Sequence, residues 1–245
     1  MADPARSPAP FTWRSAAVTS QGNVRKHNED AVLELPAAGL WVVADGMGGH
    51  NAGDVASRMI VEALSTVVRP TLFSQFVDEV EDRLREVNAR LYQSSLEGPG
   101  GMSGSTVAAL LAFDRYCLSL WAGDSRVYRS QDGAFAAVTR DHSEVQAMLD
   151  EGMSPASAEQ HNNVITRAVG GSQELFLDLE LRALRDRDRY LLCTDGLYKE
   201  LSESDLARHV SGNDPDGACK ALLKQSLQGT CSDNVSAVVV QFAAA

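Results

Sequence analysis

Positive charge is in short supply in this sequence: 22 Lys and Arg stand against 33 Asp and Glu, a formal net charge of −11 over 245 residues. Phosphate backbones and anionic lipids attract Lys and Arg, so neither a nucleic-acid binder nor a membrane-surface binder is expected. Long hydrophobic runs are also missing. Val107 to Phe113 is among the longest, far below the roughly 18 residues that cross a bilayer. Met1 to Phe11 is rich in Pro, Ala and polar residues and has no apolar export core, so residues 1–11 read as a disordered lead-in. Cysteine is sparse. Cys117, Cys193, Cys219 and Cys231 are widely spaced and form no CxxC pair, which suits reduced, buried thiols and neither a zinc site nor a disulfide framework. Together these absences lead us to expect a cytoplasmic protein.

What is present suits a globular chain: 44% hydrophobic and 22% charged residues, enough length for a substantial core, and no repeat or long linker. One domain over residues 12–245 is expected. Strand patterns cover Trp13 to Thr19, Ala31 to Leu35 and Leu40 to Ala44. Two helices follow, one carrying Val55, Met59, Ile60, Ala63, Leu64 and Val67 at helical spacing, the other Phe76, Val80, Leu84, Val87 and Leu91. Strands resume at Thr106 to Phe113, Cys117 to Ala122 and Arg126 to Arg129. Ser143 to Glu151 and the stretch opening at Ser154-Pro155 look helical. Three further strands cover Phe176 to Leu184, Tyr190 to Thr194 and Val235 to Phe242, with helices near Glu203 to Val210 and Pro215 to Leu227 before the last. Strands follow strands and helices come in pairs, which favours antiparallel sheets with helices outside, an α+β fold, over a doubly wound parallel sheet.

Acids gather at strand ends. Asp45-Gly46 closes Leu40 to Ala44, Asp195-Gly196 closes Tyr190 to Thr194, and Gly123-Asp124-Ser125 closes Leu118 to Ala122. Glu29-Asp30 and Asp233-Asn234 each precede a strand. Any one of these could be a turn. In antiparallel sheets, however, the exit of one strand and the entry of its neighbour share an edge, so all five could converge. Carboxylates so placed repel unless a cation intervenes, and an all-oxygen donor set suits Mg²⁺ or Mn²⁺ over zinc. The glycines of Asp45-Gly46-Met47-Gly48-Gly49 allow close backbone approach, but the segment lacks both GxGxxG and the lysine of a P-loop. Arg25, five residues before Asp30, reads either as a surface partner for an acid or as a bidentate anchor for phosphate.

These residues resemble the metal-dependent protein phosphatases of type 2C (the PPM family, Ser/Thr-specific) in their compact bacterial form, over essentially the whole chain. The motifs are Arg25-x-x-Asn28-Glu29-Asp30, Asp45-Gly46-Met47-Gly48-Gly49, Gly104-Ser105-Thr106 and Gly123-Asp124-Ser125-Arg126. They continue through Thr139-Arg140-Asp141-His142-Ser143, Ile165-Thr166-Arg167-Ala168-Val169-Gly170, Thr194-Asp195-Gly196 and Asp233-Asn234.

The resemblance implies a four-layer α-β-β-α sandwich, two central antiparallel sheets flanked by helix pairs, with two Mn²⁺ or Mg²⁺ ions at one edge. By position, Asp45 bridges the ions, Asp195 and Asp233 complete the first site, and Glu29 and the Gly46 carbonyl serve the second. Asp30 holds a coordinated water, and Asp124 with Asp195 matches a weaker third site. Residues 143–169 correspond to a flap beside the cleft. The implied chemistry is in-line attack on phosphorus by a hydroxide bridging ions about 3.5–4 Å apart, with Arg25 binding the phosphoryl oxygens and Arg25, Asp45 and Asp195 as catalytic residues. Implied partners are phosphorylated proteins, the targets of a bacterial Ser/Thr kinase, met by a monomer. Leu40 to Ser57 looks similar to phosphatases encoded with type VI secretion kinases. Met47 stands where many eukaryotic relatives have a histidine associated with the leaving group. His50, His142 and His161 lie nearby, and structural or capping roles are expected for them. Two alternatives are a pseudophosphatase that only binds phosphoproteins, which the retained acids disfavour, and a phosphatase of a sigma-factor switch, which the Arg25-to-Asp30 and flap motifs disfavour. Gly229-Thr230-Cys231-Ser232 is an unusual approach to Asp233.

Overall fold

A computed structural model describes residues 11–48, 52–97, 103–158, 164–212 and 214–245. Eleven strands and seven helices are seen among them: β1 (Phe11–Ser20), β2 (Asp30–Leu35), β3 (Leu40–Gly48), α1 (Ala52–Ser65), α2 (Phe73–Glu97), β4 (Ser103–Ser105), β5 (Val107–Phe113), β6 (Tyr116–Ala122), β7 (Arg126–Gln131) and β8 (Ala134–Ala137), then α3 (Glu144–Asp150), α4 (Pro155–Ala158), β9 (Asp178–Ala183), β10 (Arg189–Cys193), α5 (Asp195–Tyr198), α6 (Glu203–Gly212), α7 (Pro215–Ser226) and β11 (Val235–Ala244). One sheet runs β1-β11-β10-β7-β8. The other runs β2-β3-β5-β6-β9, with β4 paired to the far end of β3. Every named pairing is antiparallel.

Strand parity builds the layers, because successive side chains point to opposite faces. On β3, Leu40, Val42 and Ala44 pack with Ile60 and Leu64 of α1 and with Phe76, Val80, Leu84 and Leu91 of α2. Trp41 and Val43 between them point the other way, into a core shared with Leu192, Val238 and Val240 of the second sheet. On β11 the rule repeats: Val238, Val240 and Phe242 enter the inter-sheet core, while Val235, Ala237 and Val239 meet Leu206, Val210, Ala218 and Leu222 of α6 and α7. The result is helix pair, sheet, sheet, helix pair, the architecture that the resemblance implies. Each fully buried aliphatic side chain contributes about 1.5–3 kcal/mol.

The inter-sheet core is closed at one end by aromatics. Trp13, Trp41, Tyr190 and Phe242 meet edge to face, with ring centroids 5.8–6.1 Å apart. Those residues sit near the starts of β1, β3 and β10 and the end of β11, so the opposite edge, where β3 ends and β11 begins, is left to polar groups.

Several local expectations shift. Asp45-Gly46 is no turn: β3 runs on to Gly48, because β4 supplies partners to Gly46, Met47 and Gly48. Asp195 opens a helical turn, α5. Val55 is exposed at 47% although its spacing matches that of the apolar residues of α1, and Phe176, expected in a strand, lies before β9 at 63% exposure. Val67 follows α1 yet remains buried. Of the expected lead-in 1–11, Phe11 belongs to β1 and the rest lies outside the described residues, as do Gly49, His50 and His161. Ser143 caps α3 by accepting the Gln146 N–H, and Ser154 accepts the Ser157 N–H at α4. Among the described residues, no helix is long and apolar enough to cross a membrane.

Candidate metal centre and phosphate site

The antiparallel register places the acids. Asp30 begins β2 directly opposite Asp45 near the end of β3. In the other sheet, β11 begins just after Asp233-Asn234, and its Ala237 pairs with Cys193, two residues before Asp195. The Asp195, Asp233, Asp30 and Asp45 carboxylates therefore come from both sheets to one edge and act on each other's charge. Asp124 joins them from the turn between β6 and β7.

Burial and mutual repulsion set the protonation of this edge. Asp30 is pushed up to about 7, chiefly by burial, with Asp195 and Asp233 adding to it and the Thr194 hydroxyl, which donates to Asp30 Oδ2 at 2.8 Å, opposing it. Asp45 is raised well above the usual carboxylate range by burial and then by Asp30, Asp195, Asp124 and Asp233. Asp124 rises to about 6 through burial and the charge of Asp195, against the pull of Lys199. Two cations flank the acids. Arg25 Nη2 donates to Asp233 Oδ2 at 2.9 Å, which raises the pKa of the guanidinium. Lys199 Nζ donates to Asp195 Oδ2.

A hydrogen-bonded frame holds the edge. The Asn234 side chain accepts the Glu29 N–H at 2.9 Å and donates to the carbonyls of Gln21 and His27. Asn28 donates to Thr19 and accepts the Asp30 N–H. Thr106 Oγ1 accepts the Asp45 N–H at 3.0 Å, and the Asp45 carbonyl accepts from the Thr106 N–H and the Ser105 hydroxyl. The Glu29 carbonyl accepts from the Ser57 hydroxyl at 2.5 Å and from the Gly46 N–H. Glycine is required where the end of β3 meets α1: a Cβ on Gly46 would stand 2.0 Å from the Gly53 carbonyl oxygen, and one on Gly53 would stand 2.7 Å from Glu29 Oε1. Gly22, at φ +75°, passes under the unusual loop before Asp233; its Cβ would meet the Asp233 carbonyl at 2.2 Å. Cys231 takes φ +43° there, and its N–H is held by Glu200 Oε2.

The donor set fits divalent metal. It is oxygen throughout, and Asp30 Oδ1 and Asp195 Oδ1 are buried with no hydrogen-bond partner. Such orphaned acceptors are costly unless a cation or its water meets them. Among the described residues no three His, Cys, Asp or Glu side chains close on a single point; Asp233 and Asp195 turn instead toward Arg25 and Lys199.

The structure thus brings Arg25, Glu29, Asp30, Asp45, Gly46, Asp124, Asp195 and Asp233 to one edge. The His142 ring is held on several sides: its Nδ1 accepts the Gly123 N–H, its ring stacks on Trp121, and Nε2 faces Asp178, which also holds Arg167. Sequence reasoning missed Lys199, although its spacing four residues after Asp195 is that of a helical ion pair. It also passed over the Thr194 hydroxyl, the Thr106 cap and the clamping role of Asn234. None of these has a periodic or charge signature.

Comparison with known proteins adds relatives. Residues 19–227 match the family model described as Protein phosphatase 2C. The Mycobacterium tuberculosis serine/threonine protein phosphatase PstP is 34% identical over 231 residues, which are 92% of this chain; the chain spans only 44% of that relative's length. Among solved structures, PppA of Pseudomonas aeruginosa, described as a key regulatory component of T6SS, is 41% identical with a TM-score of 0.86, covering 94% of this chain and 97% of that one. The catalytic domain of PstP in complex with two manganese ions has the same TM-score at 32% identity, covering 95% and 99%.

Proposed function

The chain belongs to the protein phosphatase 2C family, and on that premise we propose that it is a metal-dependent phosphatase that hydrolyses phosphoserine and phosphothreonine on proteins. The observation that carries the reading is the meeting of buried aspartates from both sheets at one edge, two of them with oxygen atoms that lack any partner. In this reading Asp45, Asp195, Asp233, Glu29 and the Gly46 carbonyl would hold two divalent ions, Mn²⁺ or Mg²⁺. When bound, such ions supply Lewis acidity to the phosphoryl group and lower the pKa of an attacking water.

The chain's own residues do the rest. Arg25, half-exposed at the rim with its Nη2 on Asp233, carries the planar donor fork that would bind a phosphoryl oxygen pair. Asp30 Oδ1 is an acceptor for the hydrogen of a water, its other oxygen being fixed by Thr194. Asn234 orients Glu29 through its backbone and keeps Arg25's loop seated between His27 and Gln21. The substrates in this reading are targets of a cognate Ser/Thr kinase, met in the cytoplasm by a monomer of one domain spanning 12–245. The 41% identity to PppA supports a link to type VI secretion.

The test is hydrolysis of a phosphothreonine peptide and of p-nitrophenyl phosphate. We expect turnover with Mn²⁺, none in EDTA, and loss to background in Asp45→Asn and Asp195→Asn. Activity persisting in either variant without metal overturns the reading.

A further inference from the structure

Lys199 has no part in the motifs that identify the site, yet its half-exposed side chain reaches from the rim to one of the site's carboxylates. Asp195 opens the single turn of α5 and Lys199 ends it: the Lys199 N–H donates to the Asp195 carbonyl at 2.9 Å, and Nζ reaches back one turn to Asp195 Oδ2. The turn is pinned. Tyr198, next in the chain to Lys199, donates its hydroxyl to the Asp124 carbonyl at 3.0 Å. Arg126 lies 3.7 Å over the Tyr198 ring and is itself held by both oxygens of Asp141. This bracing ties α5 to the Gly123-Asp124-Ser125 turn and keeps the ammonium where Asp195 and Asp124 both feel its charge.

A third divalent ion would need those same two carboxylates. Asp195 divides its oxygens: Oδ2 is taken by Lys199, and Oδ1 is buried and without a partner, open to an ion at the main centre. A resident positive charge repels a divalent ion at short range and already neutralises the acids that would attract it. We propose that Lys199 is an internal counter-cation that stands in for a third metal ion between Asp124 and Asp195, so that this chain binds two divalent ions and not three. The proposal rests on the two-ion reading above.

Mn²⁺ stoichiometry tests it, measured by calorimetry and by the electron paramagnetic resonance of unbound Mn²⁺, with no assay of turnover. The wild type should bind two ions. Lys199→Ala should bind a third, at an Mn²⁺ concentration at least about tenfold below any at which the wild type takes one up, Lys199→Arg should stay at two, and Lys199→Ala combined with Asp124→Asn should return to two. A wild type that already binds three ions, or a Lys199→Ala protein that still binds two, overturns the role of Lys199. A wild type that binds no Mn²⁺ at all is a different result, one that overturns the metal reading itself.

Discussion

Stripped of metal by a chelator, the protein should grow less stable as the pH rises, the reverse of ordinary acid denaturation. The cause lies in the carboxylate edge. Burial, reinforced by Asp195 and Asp233, lifts Asp30 from the ordinary 3.8 to about 7. Between those values the folded chain keeps a proton that the unfolded chain has released. A group raised in this way stabilises the fold fully below its unfolded pKa, and that contribution is lost as the pH climbs through its folded pKa. At 1.36 kcal/mol per pH unit, the whole span is worth about 4 kcal/mol. The part that falls between pH 5 and pH 8 is about 2–3 kcal/mol, a drop in Tm of about 4–12 °C for a chain of this size. Asp45 and Asp124, both raised by burial and neighbouring aspartates, push in the same direction. Differential scanning fluorimetry in EDTA across that pH range reads the slope directly. Asp30→Asn should make it shallower, since that side chain has no proton to lose. Saturating Mn²⁺ should reverse the trend, because the metal binds the deprotonated ligands and favours the fold that presents them. A metal-free Tm that is flat or rises from pH 5 to pH 8, or an Asp30→Asn protein with the wild-type slope, refutes the account.

Two further outcomes follow from the frame around the acids. Arg25→Ala should raise KM for a phosphothreonine peptide about tenfold or more, the worth of a hydrogen bond to a charged group, while Mn²⁺ stoichiometry stays the same; loss of metal would make Arg25 a structural partner of Asp233 instead. Asn234→Ala should weaken Mn²⁺ binding about 10–100-fold by releasing the Glu29 backbone and the His27 carbonyl; an unchanged affinity in calorimetry would show that the clamp is dispensable.

Much of the layered architecture was legible because it is written in parity and period. Alternation on β3 and β11 separates three cores, and the helical spacing in α1 and α2 shows which faces meet the sheet. What was illegible is equally specific. β4 and β8 are short, and β4 exists only because β3 overruns its predicted end and offers a partner. The exposure of Val55 escapes a rule that knows only hydrophobicity and spacing. At the site, the acids were visible because each sits at the end of an apolar run. Thr194, Thr106 and Asn234 stand in the motifs, but their roles were not legible, since what a hydroxyl or amide holds depends on a partner far away in the chain.

By itself the sequence determined the inventory: carboxylates at strand ends, glycines beside them, an arginine upstream and apolar runs of the right period to form two sheets with flanking helices. The tertiary structure decided how that inventory acts. Antiparallel register set Asp30 against Asp45 and carried Asp195 and Asp233 to the same edge, where burial raises Asp30 to about 7 and Asp45 well above the usual carboxylate range. It also decided which cation meets which acid, giving Arg25 to Asp233 and Lys199 to Asp195. Charge interactions depend on distance and on the surrounding dielectric, and neither quantity exists until the chain has folded.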